Sequence, residues 1–180
     1  MGIAPLKPAV FLDRDGVVNE MLAEGNAFFP PRTLEEFRFL PGVREACERL
    51  SGSGYLLVVV TNQPDVARGL QDKETSETMR REILRRLPVR EVLACYHDDF
   101  DGCDCRKPKA GLLFQAAGKW RIDLKHSYMV GDRWKDVEAG HGAGCKSILI
   151  ERDYSERGRC HPDFIARDLA EAARWILEKR

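Results

Sequence analysis

Short apolar runs lie at positions 9–12, 55–60, 91–96, 127–130 and 146–150, the last three opening on one or two polar residues. Rich in Val, Ile and Leu and lacking polar alternation, these runs read as strands buried on both faces of a parallel sheet. Between them apolar residues recur at helical spacing. Val43, Ala46, Cys47 and Leu50 share a face over 41–51, and Met79, Ile83, Leu84 and Leu87 share one over 72–87. Leu112, Leu113, Ala116, Ala117 and Trp120 do the same over 108–120. A short helix is expected over 133–141. A last one, over 162–179, carries Ile165, Leu169, Ala172, Ala173 and Ile176. Strand–helix–strand order at these spacings specifies βαβ crossovers and an α/β, Rossmann-like, doubly wound parallel sheet.

In such sheets ligands bind beyond the carboxyl ends of the strands. The polar residues of this chain gather at those ends: Asp13 and Asp15, then Thr61 and Asn62, then a Cys/His/Lys segment, then Asp132. One stretch breaks the alternation. Positions 16–40 are long for a loop and contain Pro30-Pro31, which suits a flap that selects the substrate. A chain of 180 residues fits one domain, 1–180, with no room for a separate cap domain.

Charge and composition narrow the classes. Lys and Arg total 29 and Asp and Glu total 29, so the net charge is zero and a nucleic-acid or polyanion partner is not expected. Hydrophobic residues at 43% are enough for a folded core. No apolar run approaches the roughly 20 residues of a membrane span. Positions 1–8 show no basic segment followed by an apolar one, so no leader is expected. The reading is a cytoplasmic monomer acting on a small molecule, without membrane contact.

Asp13 and Asp15 flank one residue just after a strand, and Gly16 permits a sharp turn behind them. Two such carboxylates attract a hard cation such as Mg²⁺. One can attack phosphorus while the other handles the proton. Thr61 offers a hydroxyl and Asn62 an amide where a phosphoryl oxygen would lie. Lys107 offers a fixed positive charge beside a helix start. Asp132 and Asp136, one helical turn apart, can face one cation. A polar turn or helix cap explains each of these features alone, but not all four at successive strand ends.

Six cysteines are present, and three of them crowd with a histidine between positions 95 and 105. Cys95-x-His97 and Cys103-x-Cys105 supply three thiolates and an imidazole, a closed tetrahedral set suited to structural Zn²⁺. Such a site would pin the loop 98–102 and fix Arg106 and Lys107. Cys47, Cys145 and Cys160 read as packing residues.

The ordered set Asp13-x-Asp15-Gly16, Thr61-Asn62, Lys107-Pro108 and Gly131-Asp132-x-x-x-Asp136 resembles the haloacid-dehalogenase superfamily of phosphatases over positions 9–152. The resemblance implies Mg²⁺-dependent phosphoryl transfer through an aspartyl phosphate. It makes Asp13 the nucleophile and Asp15 the general acid, then base. Thr61 and Lys107 would hold the phosphoryl group. Asp13, the Asp15 backbone carbonyl and Asp132 would bind Mg²⁺, supported by Asp136. The C-x-H…C-x-C-R-K-P segment is similar to two branches, the heptose-1,7-bisphosphate 7-phosphatases of nucleotide-activated heptose biosynthesis and the histidinol phosphatases. Thr61-Asn62-Gln63 with Ala67-Arg68-Gly69 favours the heptose branch. There the resemblance implies substrate contacts from Asn19 and from Arg106, which would grip a second phosphate or sugar hydroxyls; Gln63 and Arg133, which adds charge near the site, join them as candidate binding residues. The segment 20–25 and Pro64-Asp65 depart from that branch's pattern. A non-catalytic zinc-stabilised interaction or nucleic-acid module is the alternative from another class, and the intact aspartates and neutral charge count against it.

Overall fold

The structure, a computed structural model, describes residues 5–155 and 159–179. Residues 1–4, on which the leader reading partly rests, lie outside them. Strands β1 (Ala9–Leu12), β2 (Leu22–Glu24), β3 (Ala27–Phe29), β4 (Leu56–Asn62), β5 (Glu91–Cys95), β6 (Tyr128–Gly131), β7 (Lys146–Ile150) and β8 (Phe164–Ala166) form two sheets. Six of them make a parallel sheet in the order β5-β4-β1-β6-β7-β8, while β2 and β3 pair as an antiparallel hairpin. The helices are α1 (Val43–Gly52), α2 (Pro64–Ala67), α3 (Lys73–Arg86), α4 (Gly111–Trp120), α5 (Trp134–Ala143) and α6 (Leu169–Glu178).

Unbroken apolar strands are explained by cores on both faces. Val10 and Leu12 of β1 pack with α1, α3 and α6 residues such as Leu50, Ile83 and Ala173. Ala9 and Phe11 face the other way, toward Leu113 and Ala116 of α4 and Ala139 of α5. Period-two alternation therefore separates two apolar layers rather than core from water.

Register decides where the chemistry lies. Leu12 pairs with Val59 on one side and with Val130 on the other, and the Asp13 amide continues the ladder to the Val130 carbonyl at 2.9 Å. Asn62 pairs with Cys95. The carboxyl ends of β1, β4, β5 and β6 therefore lie along one edge of the sheet, with β4 and β5 running three residues past the level of Leu12. The chain runs from β1 outward to β4 and β5, then returns to β6 on the opposite side of β1. That reversal opens a crevice beyond β1, the usual ligand position in an open α/β sheet.

Three expectations need correction. The helix expected over 162–179 is a strand followed by a shorter helix. Phe164–Ala166 extends the sheet against Ile148–Ile150, and α6 begins only after Asp168, whose carboxylate accepts the Glu171 amide at 2.8 Å. Ile165 falls four residues before Leu169, so helical spacing alone could not separate the two. The helix expected from 108 starts at Gly111, because 108–110 still belong to the turn carrying Lys107. The 16–40 flap is not a structureless loop. It contains the β2–β3 hairpin and is stitched at its base by Leu40 N–H to Val18 O at 3.0 Å.

Candidate active site

Lys107 is the hub. It is 2% exposed, and its ammonium donates to Asp13 Oδ1 at 2.7 Å, Asp136 Oδ1 at 2.6 Å and the Val60 carbonyl at 2.8 Å. Asn62 clamps the Lys107 backbone from both sides. Its Nδ2 donates to Lys107 O at 2.9 Å and its Oδ1 accepts from Lys107 N at 3.0 Å. The end of β4 thereby positions a lysine 45 residues further along the chain.

Asp132 follows β6, and Asp136 sits in the first turn of α5. Each of Asp13, Asp132 and Asp136 offers a carboxylate oxygen within 4.8 Å of the others. Both Asp132 oxygens are buried with no donor at hydrogen-bond geometry, the Tyr154 hydroxyl standing beside them. Three carboxylates face one ammonium, so two negative charges remain uncompensated, the deficit a divalent cation makes good. The titration behaviour agrees. Burial, opposed by Lys107 and reinforced by Asp136 and Asp15, pushes Asp13 up to about 7. Asp132 is raised well above the ordinary range, first by burial and then by Asp13 and Asp136. Burial alone would lower Lys107, but Asp13 and Asp136 outweigh it and hold the ammonium charged. The donor set is all oxygen, as Mg²⁺ prefers.

The cradle is tight. Gly16 has φ +85°, and a Cβ there would lie 2.1 Å from Asp132 Oδ2. Only glycine lets the turn after Asp15 pass this close to the carboxylates.

Asp15 is held from three directions. Arg14 donates to it twice at 3.0 Å, Asn19 Nδ2 donates at 2.9 Å, and Gln63 Nε2 donates at 2.7 Å. Gln63 also donates to the Thr61 hydroxyl at 2.9 Å and accepts from Arg14 at 2.9 Å. Asp13, Asp15, Asn62, Gln63, Arg106, Lys107, Asp132, Arg133 and Asp136 all line one cleft of about 520 Å³, a size suited to a small ligand. Asn19 and Thr61 do not line it. Asn19 is fully buried and braces Asp15 rather than reaching the cleft, and Thr61 lies behind the wall at 1% exposure.

Other lining residues escaped sequence reading. Phe28, Phe29 and Arg32 arrive from the flap. Arg32 lies over the Phe29 ring and pairs with Asp65 at 3.0 Å. Phe28 meets Tyr154 at 4.6 Å between ring centroids, and the Arg133 guanidinium lies over the Tyr154 ring at 4.6 Å. Arg68, Asp99 and Lys135 complete the charged rim. The Pro30-Pro31 pair marked the segment as special, but no local pattern shows which of its side chains turn inward.

The second cluster lies at the end of β5. Cys95 Sγ is 3.7 Å from Cys103 Sγ and 3.2 Å from Cys105 Sγ, and His97 Nδ1 is 3.5 Å from Cys95 Sγ and 3.3 Å from Cys105 Sγ. A tetrahedral ion with metal–sulfur bonds of about 2.3 Å has sulfur–sulfur edges of about 3.7 Å, so the four side chains fit one ion of that kind. The remaining cysteines are unlike these. Burial pushes the Cys47 and Cys145 thiols up to about 12, which leaves them unreactive, and Cys160 is buried against Val137 and Leu149.

Comparison with known proteins points the same way. Residues 104–172 match the HAD-hydrolase-like family model. The chain is 34% identical to the D-glycero-beta-D-manno-heptose-1,7-bisphosphate 7-phosphatase of Pasteurella multocida, over 95% of this chain and 97% of that one. It is 31% identical to the corresponding alpha-heptose enzyme of Campylobacter jejuni, over 95% and 96%. Among solved structures it resembles the D,D-heptose 1,7-bisphosphate phosphatase of B. bronchiseptica complexed with magnesium and phosphate. The TM-score is 0.82 and the identity 32%, covering 96% of this chain and 99% of that one.

Proposed function

The chain belongs to the haloacid-dehalogenase-like hydrolases, within the branch of the heptose-1,7-bisphosphate 7-phosphatases, and from that membership we propose that it hydrolyses the 7-phosphate of D-glycero-D-manno-heptose 1,7-bisphosphate in nucleotide-activated heptose biosynthesis. The observation that carries the chemistry is the meeting of Asp13, Asp132 and Asp136 around one buried lysine, with both Asp132 oxygens unmatched.

Phosphate monoesters hydrolyse extremely slowly in water, so the site must remove about 20 kcal/mol of barrier, mostly by positioning and charge neutralisation. Asp13 attacks phosphorus and the ester bond to the sugar oxygen breaks. Asp15 gives its proton to that leaving oxygen. The same carboxylate then takes a proton from the water that splits the aspartyl phosphate. Arg14, Asn19 and Gln63 all donate to Asp15 and so hold it as the carboxylate that takes the proton from water. Lys107 offsets the repulsion between Asp13 and the phosphoryl oxygens, while Thr61, expected to hold that group, lies behind the cleft wall and anchors Gln63 through its hydroxyl. Mg²⁺, held by Asp13, the Asp15 carbonyl and Asp132 with Asp136 in support, supplies the remaining positive charge when bound. Arg106 and Arg133 receive the distal part of the substrate, and Asn62 acts through Lys107.

Zn²⁺ is assigned to Cys95, His97, Cys103 and Cys105, where a closed ligand set leaves no position for substrate. Its role is to hold the loop that presents Arg106 and Lys107. The reading places the protein in the cytoplasm as a monomer. No helix among the described residues is long and apolar enough to cross a membrane.

The test is a rate comparison with Mg²⁺ across both anomers of the heptose bisphosphate and histidinol phosphate. Fastest phosphate release from a heptose bisphosphate is expected. Faster release from histidinol phosphate would move the protein to the other branch.

A further inference from the structure

Asp99 lies in the loop between His97 and Cys103 and lines the same cleft as Asp13. Cations from three separate parts of the chain converge on its one carboxylate. Arg106 Nε donates to Oδ1 at 2.9 Å, an Arg68 nitrogen lies 3.3 Å from Oδ2, and Lys135 Nζ lies 3.6 Å from Oδ1. Arg68 follows α2, Arg106 follows a metal ligand, and Lys135 opens α5, so no local sequence preference assembles this nest. Arg68 is shared with Asp98 and, more distantly, Asp65. Asp99 remains 49% exposed on its side chain, open to exchange with solvent.

Asp98 is the nearer partner of Arg68, so two carboxylates, Asp98 and Asp99, face the three cations and leave one positive charge unmatched. A phosphate monoester carries nearly two negative charges and three acceptor oxygens, and the planar arginine forks are shaped for such a group. We propose that Asp99 is an internal placeholder, occupying the seat of the substrate's second phosphate and yielding it when a bisphosphate binds. This rests on the bisphosphate reading above and adds to it a residue that sets specificity. While the seat is free of substrate, Asp99 keeps three like charges together and oriented. It also sets a threshold, since a neutral or weakly anionic end group cannot outcompete it whereas a phosphate can.

The experiment compares Asp99→Asn with the unaltered protein on heptose 1,7-bisphosphate and on heptose 7-phosphate. The expected result is that the ratio of the bisphosphate KM to the monophosphate KM falls about three- to fivefold, the scale of a half-exposed ion pair. In an Arg106→Ala background the same substitution is expected to move the ratio less, because the two residues share one interaction. A ratio that rises would make Asp99 a prop for Arg106, and a ratio that stays put would place the second phosphate elsewhere. Either result overturns the proposal while leaving the substrate intact. If the unaltered protein shows no preference for the bisphosphate at all, the substrate reading fails and this inference fails with it.

Discussion

Replacing Asp132 with asparagine should make the magnesium-free protein more stable and nearly inactive. Asp132 is 1% exposed, its oxygens have only the Tyr154 hydroxyl beside them and no donor at full hydrogen-bond geometry, and Asp13 and Asp136 add like charge. A buried carboxylate without compensation costs several kcal/mol, whereas an unpartnered amide in its place costs about 1–3 kcal/mol. The net gain for Asp132→Asn is about 2 kcal/mol near neutral pH, which raises the unfolding midpoint by about 4–8 °C for a chain of this size. The pH dependence has a definite sign. A carboxyl whose folded pKa is raised costs stability above its unfolded value of about 3.9, and the cost grows until the pH passes the folded pKa. The advantage of the variant should therefore widen as the pH rises above the unfolded value and level off only above the raised folded one. Added magnesium reverses the order. At a hundred times its dissociation constant it stabilises the unaltered protein by about 2.7 kcal/mol and the variant hardly at all, while kcat of the variant falls by about two orders of magnitude or more. Calorimetry with and without magnesium across that pH range measures each quantity. A variant less stable than the parent without magnesium, or one that keeps the full magnesium shift, would refute the charge-deficit reasoning.

Two further outcomes are expected. Metal analysis should find about one Zn per chain, and removing it should cost several of the roughly 10–16 kcal/mol that structural zinc supplies while raising the bisphosphate KM as Arg106 loosens; fully folded and active zinc-free protein would exclude a structural role. Tyr96→Phe removes the hydroxyl that donates to Glu77 Oε1 at 2.6 Å and holds that carboxyl below its usual range, with Arg80 assisting after it. The loss should be about 1 kcal/mol at neutral pH. Because the folded pKa of Glu77 is depressed, this contribution exists above the unfolded value of about 4.3 and vanishes as pH falls through the folded one, so equal loss in urea titrations at pH 7 and in strong acid would contradict it.

The central sheet was legible in the chain because both faces of each strand are buried. Continuous apolar runs at β1, β4 and β7 carry that constraint locally, and the polar residue that ends each run marks the edge where ligands bind. The clefts's acidic centre was legible for the same reason, since Asp13 and Asp132 follow strands that flank each other. Phe164–Ala166 was not, because three residues of edge strand look like the first turn of the helix that follows. Nor was the role of Asn19, which sits close in sequence to the catalytic turn yet points back to brace Asp15. Asp99, Arg68 and Lys135 meet only through tertiary folding, and Tyr154 reaches Asp132 from beyond β7. Contacts of that kind leave no periodic trace.

The most direct check on the proposed chemistry is to trap the phosphorylated protein. Magnesium-loaded enzyme is mixed with heptose 1,7-bisphosphate for less than one turnover, quenched in acid and reduced with borohydride, which converts an aspartyl phosphate to homoserine. Peptide mass spectrometry should find homoserine at position 13 and nowhere else. Homoserine at Asp15 or Asp132, or its absence while phosphate is released, would mean that Asp13 does not take the phosphoryl group.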